Sequence, residues 1–207
     1  MSLKYSMEID RILKNIKRKL FDIDPLLSLE YLNWLDKKTN YFRQSVFKLG
    51  YGPQPDDIKR GDIVWVEFGV NVGSELSDMS TKGHYALVWL IDLGNVVVIP
   101  LTSRPSDSSP LTIELGVIDE LNSENTNQIS YLKLDAIRSV SKRRIGRMPS
   151  KDGGKITLDA DKIELVKKHI YEYLIKDYSN EIEENKLSVL TFVAEDLYDS
   201  DYSERHI

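Results

Sequence analysis

Apolar residues in the first fifty positions recur at spacings of three and four. Ile9, Ile12, Leu13, Ile16 and Leu20 fall on one helical face, while Arg11, Lys14, Lys17, Arg18 and Lys19 lie mostly off it. The run Asp22-Ile23-Asp24-Pro25 interrupts that pattern, because proline cannot continue a preceding helix yet suits the first turn of a new one. Leu26, Leu27, Leu29, Leu32, Trp34 and Leu35 then make a second helix apolar enough to need a partner, so residues 1–50 are predicted to form a helical hairpin that can extend through "YFRQSVFKL". Gly50 to Asp57, "GYGPQPDD", has two Gly, two Pro and no periodicity and reads as a linker over 51–57.

From Ile58 the pattern changes. "DIVWVEF", "YALVWLID", "NVVVIPL", "LTIEL", "ISYLKL" and "AIRSVS" are short runs rich in Val, Ile, Leu and aromatics, separated by Gly, Asn, Ser, Asp and Pro. Asp92 to Asn95, "DLGN", is a tight hairpin connection. Short strands with no helix between them favour a small antiparallel barrel over a parallel sheet. One helix follows, starting near Thr157 or Asp159, with Ile163, Val166, Ile170, Tyr173 and Leu174 on the stripe expected to face the barrel. The fold class expected is therefore mainly β with α: an N-terminal helical hairpin, a barrel domain over 58–176 closed by a helix, and a tail over 177–207. Within the tail, "LSVLTFVAEDLY" suits a helix or a strand equally.

Composition narrows the classes. In 207 residues, 41% hydrophobic and 29% charged content is that of a folded globular chain. No run approaches the roughly 18–20 apolar residues that span a bilayer, and the N-terminus lacks a signal-peptide core, so a cytoplasmic protein with no membrane partner is expected. With no cysteine, disulfides, thiolate metal sites and cysteine nucleophiles are excluded together. The net charge of -5 hides an uneven distribution. Arg138, Lys142, Arg143, Arg144, Arg147, Lys151 and Lys155 make a basic run opposed only by Asp152, whereas residues 177–207 are strongly acidic.

Candidate chemistry is sparse. His84, His169 and His206 stand at no ligand spacing from one another, so neither a metal nor a cofactor is expected. "KDGGK" lacks the spacing of a nucleotide-binding loop and reads as a turn. The loop after the first strand offers Asn71, Gly73, Ser74 and Glu75: Gly73 permits positive φ, and the other three can present donors and acceptors to phosphate or base edges. Clustered Lys and Arg such as Arg138, Lys142 and Arg143 can track a phosphate backbone, although a charge run is more often only a solvated face.

In this order, "KRGDIVWVEFGVNVGSE", "GHYALVWLID", "VVVIPLTSR" and "SYLKLDAIRSVSKRRIGR" resemble the strands and loops of the MazF/PemK family of toxins, over roughly Ile58 to Lys176. The resemblance implies an SH3-like barrel, commonly a homodimer, that cuts single-stranded RNA without metal and is inhibited by an antitoxin protein. The family's site pairs an Arg at the start of the second strand with a Thr or Ser at the end of the third. Thr102 keeps the second position; His84 stands at the first, with Tyr85 in place of the usual Pro. Imidazole can accept and return a proton near neutrality, so His84 and Thr102 are the catalytic candidates. Lys82 or Arg104 would supply the fixed positive charge, and Ser103, Arg104, Arg138, Lys142, Arg143 and the Asn71–Glu75 loop would hold RNA. Two other functions remain open: a barrel that binds RNA or an antitoxin without cleaving, and a CcdB-like gyrase poison, against which stands the absence of any Trp after Trp89. The acidic tail is a candidate cover for the RNA groove.

Overall fold

Helix α1 (Leu3–Leu20) ends with Lys17, Arg18 and Lys19 in its last turn, where cations meet the negative end of the helix dipole. Asp24 then caps α2 (Pro25–Val46), its carboxylate accepting from the backbone N–H of Leu26 at 2.9 Å and of Leu27 at 3.1 Å, with Pro25 at the first helical position. The predicted hairpin is thus present, and "YFRQSV" continues α2 without a break. A computed structural model describes residues 3–73, 75–78, 83–106, 109–122 and 127–176 of the chain.

Eight strands follow: β1 (Asp62–Val66), β2 (His84–Ile91), β3 (Asn95–Thr102), β4 (Thr112–Val117), β5 (Ile129–Lys133), β6 (Arg138–Ser141), β7 (Ile145–Gly146) and β8 (Ile156–Thr157). Every pairing is antiparallel. β1 pairs with β2, β2 with β3 and β3 with β6; the chain then makes a single 3₁₀ turn over Lys142–Arg144 and returns as β7 against β1. That turn closes the ring and makes the small antiparallel barrel the strand pattern predicts. β4 and β5 form a hairpin paired to the end of β3, and β8 adds to the start of β1.

Alternation along the strands sorts the core. Val64, Val66, Phe68, Ala86, Val88, Val96, Val98, Val140 and Ile145 fill the barrel interior. Residues of opposite parity, Ile63, Leu87 and Ile99, are equally inaccessible. Both faces are buried, which is why "NVVVIPL" reads as one continuous apolar run. Helix α3 (Ala160–Ile170) begins one residue after Asp159 and continues as a π-helical turn, Tyr171–Ile175. Its expected stripe is buried at Val166 and Ile170, whereas Tyr173 and Leu174 are exposed. Compact units span Met1–Leu165 and Val166–Ile207, the second described only as far as Lys176.

Helix α2 is tied to the barrel by polar contacts. Lys37 Nζ donates to Glu67 Oε1 at 2.6 Å and the Tyr41 hydroxyl to Glu67 Oε2 at 2.5 Å. Burial, then the Glu67 carboxylate, hold the Tyr41 phenol well above its ordinary pKa, so it remains a donor. At the C-terminal end of α2, Arg143 donates to the carbonyls of Leu49 at 2.8 Å and Gly50 at 3.0 Å and lies 4.6 Å from the Tyr51 ring centroid. Residues 50–57 are held further along by Arg147, which pairs with Asp56 at 2.6 Å, and by the Asp56 N–H donating to the Gly153 carbonyl.

A fully buried Asp62 opens β1. It accepts from Lys155 Nζ at 2.8 Å, the Thr157 hydroxyl at 2.9 Å and the Lys59 N–H at 2.8 Å, which joins the start of β1 to β8. Removing one partner of such a pair strands the other. Asp62→Ala is therefore expected to lower unfolding free energy by about 3–5 kcal/mol in urea titration, and a loss below about 1 kcal/mol would show that the network is not holding β1 to β8.

Candidate active site

The two catalytic candidates stand at one end of neighbouring strands. The β2–β3 ladder ends with Ala86 paired to Pro100; beyond it His84 pairs with Val66 of β1 and Thr102 with Tyr131 of β5. His84 and Thr102 line a cleft of about 600 Å³ together with Trp65, Tyr85, Ser103 and Arg104. Trp65 and Tyr85 make an edge-to-face pair on its wall, with centroids 5.1 Å apart.

Asp78 completes the arrangement, and sequence reasoning missed it. Its Oδ1 lies 2.5 Å from His84 Nδ1, with side-chain exposures of 3% for the Asp and 27% for the His. One partner is therefore buried while the other reaches the cleft. A carboxylate can only accept, so Nδ1 carries the hydrogen, and in the neutral ring Nε2 holds the lone pair. The other carboxylate oxygen accepts from the Gly69 N–H at 2.6 Å, and the Asp78 N–H donates back to the Gly69 carbonyl at 3.0 Å. This reciprocal pair ties Asp78 to the chain just beyond β1. The sequence signal was slight: an acid six residues before a lone strand-opening His, across a loop of no fixed period.

The remaining candidates divide. Arg104 and Ser103 are exposed at the rim of the cleft, and the Thr102 hydroxyl accepts from the Arg104 N–H at 3.1 Å, holding the turn after β3. Arg138 stands 5.4 Å from the Phe68 centroid, and Phe68 meets the His84 ring edge-on at 6.3 Å, so its charge lies one ring away from the imidazole. Asn71 is committed to the loop itself: its side-chain amide donates to the carbonyls of Leu76 at 2.5 Å and Gly69 at 3.1 Å. Gly73 has φ +59 and open space around it, and Glu75 is exposed. Arg143 spends its guanidinium on the segment after α2, and Lys142 sits in the 3₁₀ turn before β7. Ser74 and Lys82 lie outside the described residues, as does the acidic tail. No group of three or more His, Cys, Asp or Glu able to hold a metal occurs among the described residues, and no helix there is long and apolar enough to cross a membrane.

Chemically, the cleft offers an imidazole hydrogen-bonded at Nδ1, a hydroxyl on the neighbouring strand and a cation at the rim. That set can move a proton and stabilise developing negative charge. In Asp78→Ala, the downfield His84 Nδ1–H proton resonance should vanish through exchange with water while the strand signals persist. If it survives, the hydrogen bond to Asp78 does not hold that proton.

A family model described as "PemK-like, MazF-like toxin of type II toxin-antitoxin system" matches residues 59–174, more than half of the chain. Among solved structures, a chain of the MazE-MazF crystal structure (Form-II) from Deinococcus radiodurans is similar at 18% identity and a TM-score of 0.38, covering 62% of this chain and 100% of that one. No curated protein matches.

Proposed function

The chain belongs to the family of PemK-like, MazF-like toxins of type II toxin-antitoxin systems, and from that premise we propose that it is a metal-independent endoribonuclease acting on single-stranded RNA. The observation that carries this reading is the buried Asp78 carboxylate set 2.5 Å from the imidazole of His84 in an accessible cleft.

In the reaction proposed, His84 Nε2 takes the proton of a ribose 2'-hydroxyl as that oxygen attacks the adjacent phosphorus. The P–O5' bond breaks, the 5' oxygen leaves as a hydroxyl by taking a proton from a water that is in turn reprotonated by the His84 imidazolium, and the other product ends in a 2',3'-cyclic phosphate. Asp78 favours the imidazolium formed in this step, as an acid fixed behind a base does. Arg104, at the rim, supports the charge of the phosphorane, and the Thr102 hydroxyl is placed to donate to one of its oxygens. Tyr85 offers an aromatic face for a base. The partners proposed are mRNA in the cytoplasm, an antitoxin protein that occupies the cleft, and a second copy of the chain in a homodimer.

A barrel that merely bound RNA would gain little from a buried carboxylate aligned on a cleft imidazole, which favours cleavage over simple binding. The test is incubation of the purified protein with a mixed RNA pool in a chelator, followed by sequencing of the new ends and analysis for cyclic phosphate. Cleavage with cyclic ends is expected, falling by about 10²- to 10⁴-fold in His84→Ala. Undiminished cleavage by His84→Ala would remove His84 from the mechanism, and no cleavage by the wild-type chain would leave the binding reading in its place. Thr102→Val, which keeps the shape and loses the hydroxyl, is expected to cost about 10- to 100-fold in kcat with little change in KM. A rise in KM alone would make Thr102 a binding group only.

A further inference from the structure

The N-terminal helices lie outside the segment matched to the toxin family, yet α2 reaches the active site through a short series of contacts. Three residues, Glu67 to Gly69, link β1 to the loop that carries Asp78. From one side α2 grips them: Lys37 and Tyr41 both donate to the Glu67 carboxylate, at 2.6 and 2.5 Å. Trp34 lies against Gly69 so closely that a Cβ there would overlap its indole, and φ of +75 also suits only glycine at this position. From the other side Arg144, in the turn between β6 and β7, donates to the Glu67 carbonyl at 2.6 Å and to the Phe68 carbonyl. Its guanidinium also lies 5.1 Å from the Trp34 ring centroid, so the two clamps touch each other.

The clamped segment then sets the dyad. Gly69 exchanges hydrogen bonds with Asp78, Asp78 holds His84 Nδ1, and Phe68 stands against the His84 ring. We infer that α2 is a working part of the active site, with Trp34, Lys37 and Tyr41 as positioning residues that hold Glu67–Gly69 and, through Asp78, fix the orientation and tautomer of His84. None of the three lines the cleft. They act through backbone placement, in the way that groups behind a metal or catalytic ligand orient it. Errors of about 1 Å at the reacting group can cost on the order of 10²-fold in rate, so a brace at this distance has room to matter.

This inference rests on His84 being the base proposed above, and its test separates the two. The full chain is labelled with nitrogen-15, and the His84 ring nitrogen shifts are read in the wild type, in Lys37→Met/Tyr41→Phe, in Trp34→Phe and in Lys38→Ala as an exposed control on the same helix. Both substitutions in the double variant keep side-chain bulk, so folding should survive. The shifts are expected to show the Nδ1–H tautomer in the wild type and in Lys38→Ala, and to move toward a mixture in the double variant. There kcat should fall about tenfold while KM changes less than twofold. Trp34→Phe, which withdraws the indole from Gly69 and Arg144, should move the shifts the same way and lower kcat by a smaller factor; wild-type shifts and kcat in this variant would remove Trp34 from the positioning set. A double variant with a lower melting temperature but unchanged nitrogen shifts and kcat would overturn the inference and leave α2 as a stabilising pad. Absence of RNA cleavage by the wild type would overturn the ribonuclease reading alone, because the nitrogen shifts still decide whether α2 sets His84.

Discussion

Taking a carboxylate out of water is costly unless donors replace the water, and Asp78 is supplied with two, the Gly69 N–H and the ring N–H of His84. That requirement governs much of the surrounding architecture. Gly69 must stay in a conformation only glycine adopts easily, close enough to return its own carbonyl to the Asp78 N–H. Its neighbours are held between Arg144 of the barrel and Glu67's partners on α2. A loop with little regular structure can thus place one charged group to within hydrogen-bonding tolerance.

The barrel supplies the other half of the site. β2 begins at His84 and its antiparallel neighbour β3 ends at Thr102, so both residues come to one end of the pair and line one cleft. Ring closure through the Lys142–Arg144 turn brings Arg138 and Arg144 to the Phe68 side of the same end. The basic run is consequently less a uniform surface than a set of separate tasks. Arg144 is a half-buried clamp whose pKa desolvation pulls down, Arg143 anchors the segment after α2, and Arg147 pairs with Asp56.

Strand existence, the helical hairpin and the closing helix were legible in the sequence because hydrophobic period, proline placement and turn residues agreed with one another. That His84 and Thr102 line one cleft was legible only through a family resemblance, since strand register is not written in composition. Asp78 was not legible: its partner is fixed by the return of the loop onto Gly69, a non-local contact with no periodic signature. The place of Asn71 within its loop was not legible for the same reason, because a polar side chain gives no sign that its amide nitrogen will donate to carbonyls of that loop. The contacts of the N-terminal helices with the end of β1 were not legible for a related cause. The contacts of Trp34, Lys37 and Tyr41 join residues 26 to 35 positions apart and depend on one face of α2 meeting the end of β1.

The central claim is that RNA lies across the open end of β2 and β3. Titrating the nitrogen-15-labelled chain with a short single-stranded oligonucleotide that lacks 2'-hydroxyls, and so cannot be cleaved, tests it directly. The account predicts amide shifts centred on Trp65, Gly83 to Tyr85 and Thr102 to Arg104, weakening as salt is raised because phosphate contacts release counterions. Shifts confined to the helical hairpin, or none at concentrations where the oligonucleotide is in large excess, would contradict it.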